Sequence, residues 1–179
     1  CPTVFARRGI TLKDFGRYKR RGVNLGVGTD TYPHNLLDEM RLVAYLARTQ
    51  ANDPRTMTTT DVFDAATIGG ARALGRNDIG RLAVGCRADF VLVDATHPRM
   101  QPNHDPVRAL IYAAGDRAVR DVYVDGIKVV GDGEVLTMDF KQAALNLSEA
   151  QKRIVARAPQ QDWAHRPVDK IAVPTFKWL

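Results

Sequence analysis

Asp30 is the residue on which chemistry could rest. It closes the run Val23-Asn24-Leu25-Gly26-Val27-Gly28-Thr29, a short β-rich segment that leads into a loop containing Pro33. Barrel enzymes place catalytic groups at the carboxyl ends of buried strands, where the strand fixes the side chain and the loops shape a pocket around it. An Asp after Gly-x-Gly-Thr also serves as a turn former or helix cap, and the local pattern leaves both roles open. Other reactive side chains are sparse. Cys1 and Cys86 form neither a disulfide framework nor a zinc-knuckle spacing, and read as two small buried thiols in a reducing compartment. The histidines are His34, His97, His104 and His165, with no His-x-His pair among them. His34 follows soon after Asp30, where it can line a pocket mouth or simply begin a helix. Gly26-x-Gly28 lacks the third glycine of a dinucleotide fingerprint.

The elements that must position Asp30 follow from apolar spacing. Residues 10–21 put Ile10, Leu12, Phe15 and Tyr18 at helical intervals between Lys13, Arg17 and Arg20, and Gly22 stands where a helix would stop. After the 23–29 strand, Leu36 to Ala51 is a long amphipathic helix. Thr60-Asp61 offers an N-cap to a helix carrying Val62, Phe63 and Ala66, and a second short helix, Ala71 to Leu74, ends at Gly75. Ala65, Ala66, Gly69, Gly70 and Ala71 suit close helix packing. Helix, strand and helix in this order indicate an α/β architecture with parallel strands.

Beyond Gly80 the pattern turns to β. Residues 88–94 read as one strand, with Asp89 tying its start to its neighbours. Val119 to Val124 and Ile127 to Val130 read as a hairpin about Asp125-Gly126, because a type I′ turn needs positive φ at both central positions. A last helix, Lys141 to Ala158, precedes a tail in which Trp163, Phe176 and Trp178 are expected as core or docking anchors. Met40 is expected in the core of its own helix. The divisions are 1–80, 81–135 and 136–179.

The 179 residues are 45% apolar, enough to bury a core. Lys and Arg outnumber Asp and Glu by 26 to 20, a net charge of +6. The basic residues are scattered (Arg7, Arg8, Lys19 to Arg21, Arg72, Arg76, Arg81, Arg87) without interleaved aromatics, which argues against nucleic acid as a partner. No apolar run approaches the about 20 residues of a membrane span, and the first residues do not form a signal peptide, so a soluble, cytoplasmic setting is expected. The chain opens on Cys1-Pro2 rather than Met, as expected of part of a longer protein.

The order of motifs resembles the amidohydrolase superfamily, in particular its aminohydrolases and chlorohydrolases of triazines, purines and pyrimidines. Cys1-Pro2-Thr3 is followed by residues 22–30, by Ala66 to Gly75, by Asp78 to Asp94, by His104-Asp105-Pro106 and by Val122 to Gly126, over about residues 1–135. The resemblance implies that Val23 to Thr29 is the eighth strand of a (β/α)8 TIM-like barrel, with residues 59–75 as closing helices. Residues 81–135 would then be most of a small β-sandwich.

It also implies a divalent metal, zinc or iron, with Asp30 as one ligand. Asp30 would take a proton from the metal-activated water and pass it to the leaving group as a C–N or C–Cl bond of a nitrogen heterocycle is hydrolysed. Most metal ligands, histidines of earlier strands, are expected upstream of Cys1. Val4 to Arg8 replaces a Ser-Asn found in much of the related branch, in what would be a loop facing a small-molecule substrate. Arg7 or Arg8 could there meet an anionic or carbonyl group, and His34 would stand at the mouth; His104-Asp105 would be a structural turn. The other reading is a non-catalytic fragment or subunit that associates with a partner chain. Unpaired strand edges of an incomplete barrel favour association, and a homo-oligomer is expected.

Overall fold

The computed structural model describes residues 1–11 and 15–176. Leu12 and Lys13 of the first predicted helix, and Trp178 of the tail, lie outside the described residues. The chain forms two compact units, Cys1–Glu134 and Val135–Leu179.

The first unit is a mixed α/β fold built around one long helix. Helix α3, Leu36–Ala51, runs as its apolar spacing predicts, with Asn35 as N-cap and Asn52 closing it in the left-handed region. Its face of Met40, Val43, Ala44 and Ala47 meets Met57, Val62 and Ile111 in the main core. Leu25 and Val27, two residues apart on an extended segment, pack against that core from one side, as the two-residue period of extended chain requires. Met40 is thus a packing residue, as expected.

The other helices of this unit depart from the sequence pattern in detail. Residues Pro2–Arg7 form a helix, α1, rather than a loop, begun by proline at its first turn, where the missing N–H costs nothing. Helix α2 is observed over Phe15–Arg20, and Gly22 stops it at positive φ. Helix α4, Thr59–Ala66, is capped by Thr58 rather than Thr60. The Thr58 hydroxyl accepts from Asp61 N–H and the Asp61 carboxylate accepts from Thr58 N–H, so both groups satisfy donors that the helix start leaves open. Helix α5 spans Ile68–Ala73 and ends at Gly75, whose φ is 67°.

The small sheet is antiparallel: β1 (Phe90–Val93), β2 (Val119–Val124), β3 (Ile127–Gly131) and a two-residue β4 (Glu134–Val135), in that order. The Asp125-Gly126 hairpin is observed with φ of 51° and 79° at its two central residues. Asp89 accepts a hydrogen bond from Asp125 N–H at 2.7 Å, tying the start of β1 to the turn as expected, and Phe90 stacks on Tyr123 across the strands at 4.5 Å. Between β1 and β2 the chain makes short helical turns joined by loops, including α6 (Pro106–Ala109) and a π-turn at Leu110–Ala114. Asp105 caps α6 through Arg108 N–H, the structural role expected of it. Met100, Ala114 and Ala118 close a second core here. Neither thiol is buried: Cys1 is exposed and Cys86 half-exposed.

The second unit is helical. Helix α7, Phe140–Gln161, is capped by Asp139 and buries no residue; it is followed by α8, Val168–Ile171. Trp163 and Phe176 are 86% and 80% exposed, so neither is the buried anchor that aromatic character suggests. Trp163 carries the Arg166 guanidinium over its ring at 5.5 Å, and Asp162 holds that guanidinium through both carboxylate oxygens.

Asp121 on β2 is the buried charge of the sheet, 3% exposed. Lys128 and Arg120 each approach its carboxylate at 2.9 Å, and Asp132 N–H donates to it at 3.1 Å. The Lys128 hydrogen bond above all, against the opposing effect of burial and with help from Asp132 N–H and Arg120, lowers its pKa to about 2. Its pKa in the unfolded chain is about 3.9, so its contribution is complete above about pH 4 and is lost as pH falls towards the folded value. Asp121→Asn is expected to lower the urea midpoint at pH 7 and to flatten its fall between pH 4 and 2. Parallel midpoints at pH 7, 4 and 3 check this, and an unchanged slope would remove Asp121 as its source.

Candidate active site

The segment that carries Asp30 is held by helix backbone. Residues 23–29 form no sheet ladder, and among the described residues no strand lies beside them; a strand is a pairing relation, and extended chain without a neighbour must satisfy its polar groups elsewhere. Val27 N–H donates to the Ala65 carbonyl at 3.2 Å, in the last turn of α4, where helix carbonyls lack intrahelical partners. Asn24 Nδ2 donates to the Gly69 carbonyl at 2.9 Å. The segment lies so close that a Cβ on Gly69 would overlap the Leu25 carbonyl oxygen. The small residues of α4 and α5 thus admit an extended backbone rather than another helix.

Asp30 itself sits in a tight reversal. Thr31 N–H donates to the Thr29 carbonyl at 2.6 Å, closing a three-residue turn with Asp30 at its centre and φ of 58°. This is the strained form of the γ-turn, and positive φ is costly for a side chain with a Cβ. The carboxylate is exposed and meets no donor among the described residues.

Helix α1 forms the other wall. A Cβ on Gly28 would come within 3.4 Å of Cys1 Sγ, so the two ends of the Cys-Pro-Thr and Gly-x-Gly-Thr-Asp motifs are neighbours. Thr3 N–H, in the first turn of α1, donates to the buried Glu39 carboxylate at 3.0 Å; a carboxylate suits the positive end of a helix. From the last turn of α1, Arg7 Nη1 donates to the Tyr32 carbonyl at 3.0 Å, just past Asp30. Val4, Arg7, Arg8, Asp30 and Thr31 line a cleft of about 380 Å³.

Of the residues singled out in the sequence, Asp30, Arg7 and Arg8 are therefore brought together. His34 is not in the cleft lining; it is exposed, at φ of 52°, with Nδ1 3.2 Å from Thr29 Oγ1. His97 caps a short helical turn through Arg99 N–H, and the His165 ring contacts the Pro159 carbonyl. Glu39 is the positioning residue that pattern reading missed. Its signal was present: it lies four positions before Val43, on the edge of the buried face of α3. Among the described residues no group of three His, Cys, Asp or Glu side chains is placed to hold a metal ion. The residues present therefore do not make a metal centre by themselves, and Asp30 could serve as one oxygen donor.

Residues 1–129 match the model described as Amidohydrolase family. The chain is 37% identical over 157 residues to a 5-methylthioadenosine/S-adenosylhomocysteine deaminase of Pelotomaculum thermopropionicum, covering 86% of this chain and 36% of the relative. It is similar to the structure of an adenosine deaminase from Xanthomonas campestris with bound zinc, with TM-score 0.74 and 38% identity over 78% of this chain and 33% of that one. A variant of the atrazine chlorohydrolase of Arthrobacter aurescens, with zinc and atraton, aligns with TM-score 0.72 and 28% identity over 83% and 34% of the two chains. The chain thus spans about a third of the length of the relatives it matches.

The Gly69 contact can be tested directly. Gly69→Ala is expected to lower stability by about 1–3 kcal/mol, the usual cost of overpacking, with the urea midpoint as the measurement. A midpoint equal to that of the parent would show that residues 24–28 do not rest on Gly69.

Proposed function

This chain belongs to the amidohydrolase family, and we propose that it is the C-terminal portion of a metal-dependent hydrolase acting on C–N bonds of a nitrogen heterocycle. The deaminases among its relatives favour an adenosine-type nucleoside as substrate, and the chlorohydrolase keeps a C–Cl bond as the other leaving group. In the complete protein residues 23–29 are the eighth strand of a (β/α)8 barrel. Residues 1–80 end the barrel domain, 81–135 give most of a small β-sandwich, and 136–179 form a helical tail.

The observation that carries this reading is Asp30. A carboxylate in a strained turn, without a donor among the described residues and open to a cleft with two arginines, is held for work rather than for stability. Asp30 takes a proton from the attacking water and returns it to the departing amine. A divalent metal, zinc or iron, would supply the acidity of that water by lowering its pKa to about 7. Asp30 is the one ligand proposed from this chain, with histidines outside it completing the set. Arg7 and Arg8 bind the substrate from the C-terminal end of α1, and His34 orders the loop at the mouth.

A second reading, a subunit that works only with a partner chain, is favoured by β1. It ends the sheet order, and Val91 and Leu92 on it are exposed. Such an edge is a template for another strand, in the missing part of the same protein or in a second copy.

In the complete enzyme, Asp30→Asn keeps the shape and removes the base. Turnover of an adenosine-type nucleoside should fall on the order of 100-fold or more, with the urea midpoint retained; a loss of less than about tenfold would sink the assigned role. The purified 179-residue chain is expected to carry less than one zinc or iron per molecule by elemental analysis. Stoichiometric metal would mean that donors within this chain or its assembly build the site.

A further inference from the structure

The extended segment that ends at Asp30 begins at a second cleft. Arg17, Tyr18, Arg21 and Val23 line a space of about 330 Å³ at the end of α2, and none of them lines the cleft beside Asp30. The way α2 ends builds this space. Gly22 N–H donates to the Lys19 carbonyl at 2.9 Å and Val23 N–H to the Tyr18 carbonyl at 3.0 Å, with Gly22 at φ of 72°. This paired closure folds the residue after the glycine back against the last turn of the helix, so the half-exposed Tyr18 and Val23 come to share one wall. Arg21 N–H donates to the Arg17 carbonyl at 3.1 Å. The carbonyls of Arg17, Tyr18 and Lys19 thus have N–H partners, and capping them is not what keeps arginine side chains here.

The charges of the cleft are of one sign. Lys19, on the same helix, is paired with Asp61, but among the described residues no acidic side chain lines the cleft itself. Arg17 makes a contact within the chain as well, whereas the Arg21 guanidinium meets no acceptor among the described residues. Like charges four residues apart at a helix end repel, and an anion between them relieves that repulsion. A guanidinium fork matches the oxygens of a phosphate and keeps its charge at any working pH. The exposed ring of Tyr18 offers a face to a flat group beside it.

We propose that the cleft at the end of α2 is a separate binding site for a phosphate monoester carried on an aromatic ring. Arg21 and Arg17 take the phosphate oxygens, and Tyr18 takes the ring. Neither Asp30 nor the arginines of α1 take part, so this site stands apart from the hydrolase reading. Gly22 and Val23 lead directly into the segment that rests on Gly69, and an occupant of the cleft therefore also stabilises the start of the run that presents Asp30.

Calorimetric titration of the purified 179-residue chain with phenyl phosphate, inorganic phosphate and phenol tests this. Phenyl phosphate should bind about threefold or more tighter than inorganic phosphate, the scale of an aromatic contact, and phenol should not bind measurably. Arg21→Ala should weaken phenyl phosphate on the order of 10-fold or more, the scale of a hydrogen bond to a charged group. Arg21→Lys, which keeps the charge without the fork, should fall between. Tyr18→Leu should bring phenyl phosphate down to the affinity of inorganic phosphate. Urea midpoints without ligand, expected to match that of the parent for the Arg21 variants, show that these remain folded. Equal affinity of the parent and Arg21→Ala, or no binding by the parent at millimolar phenyl phosphate, overturns the site. Loss of binding in Arg8→Ala with none in Arg21→Ala places the phosphate beside Asp30 and overturns it too. Equal affinities of the parent for phenyl and inorganic phosphate overturn the place of the ring on Tyr18. Turnover by the complete enzyme decides the hydrolase reading separately from all of these.

Discussion

The first unit depends on the contact of an extended backbone with the backbone of two helices at Gly69. Among the described residues no strand lies beside residues 24–28, yet their polar groups cannot go unpaired where Leu25 and Val27 enter the core. The Ala65 carbonyl takes the Val27 N–H, and the Gly69 carbonyl takes the Asn24 side-chain amide. The geometry works only because a glycine lets the Leu25 carbonyl approach α5 closely. A larger residue would push the segment off its helices, and with it the turn that presents Asp30.

The second constraint crosses the cleft. Glu39 is buried in α3 and takes the Thr3 N–H of α1, so the helix that follows the Asp30 loop also fixes the helix that carries the arginines. Arg7 closes the ring by bonding the Tyr32 carbonyl. One element, α3, therefore sets both walls, and the charges that face each other owe their separation to backbone contacts rather than to each other. Among the described residues, a carboxylate and two guanidinium groups thus share a cleft without an ion pair between them.

Much of this was legible in the sequence where a periodic signal or a φ requirement existed. Helix α3 follows from apolar spacing alone, and the Asp125-Gly126 hairpin from the need for positive φ at both residues. The family was legible from the order of six motifs, and so was the place of Asp30 where its segment gives way to a loop. What escaped has a physical reason in each case. Helix α1 is a six-residue element, too short for a period to show, and only proline at its start announced it. Thr58 outcompeted Thr60 as cap because Asp61 lies three residues after it, which completes a reciprocal pair. The segment at 23–29 has strand chemistry, but a ladder is a property of two segments, and no pattern within one can reveal whether the other is present. Trp163 and Phe176 were misjudged because aromatic character reports an appetite for burial and not the surface available to satisfy it.

The same distinction governs the functional reading. A proton shuttle needs a carboxylate whose position is fixed and whose charge is uncommitted. Stable folds work against both, because an uncommitted carboxylate invites pairing with the nearest arginine and a strained turn invites relaxation. Here relaxation is opposed on both sides of Asp30: Val27 is bonded to α4 before the turn, and Arg7 bonds Tyr32 after it. Pairing is opposed by the anchoring of α1 at Glu39 and at Tyr32. Neither anchor touches the Asp30 carboxylate. The strain at φ of 58° is thus sustained by contacts on main-chain atoms, which leaves the side chain of Asp30 available for chemistry.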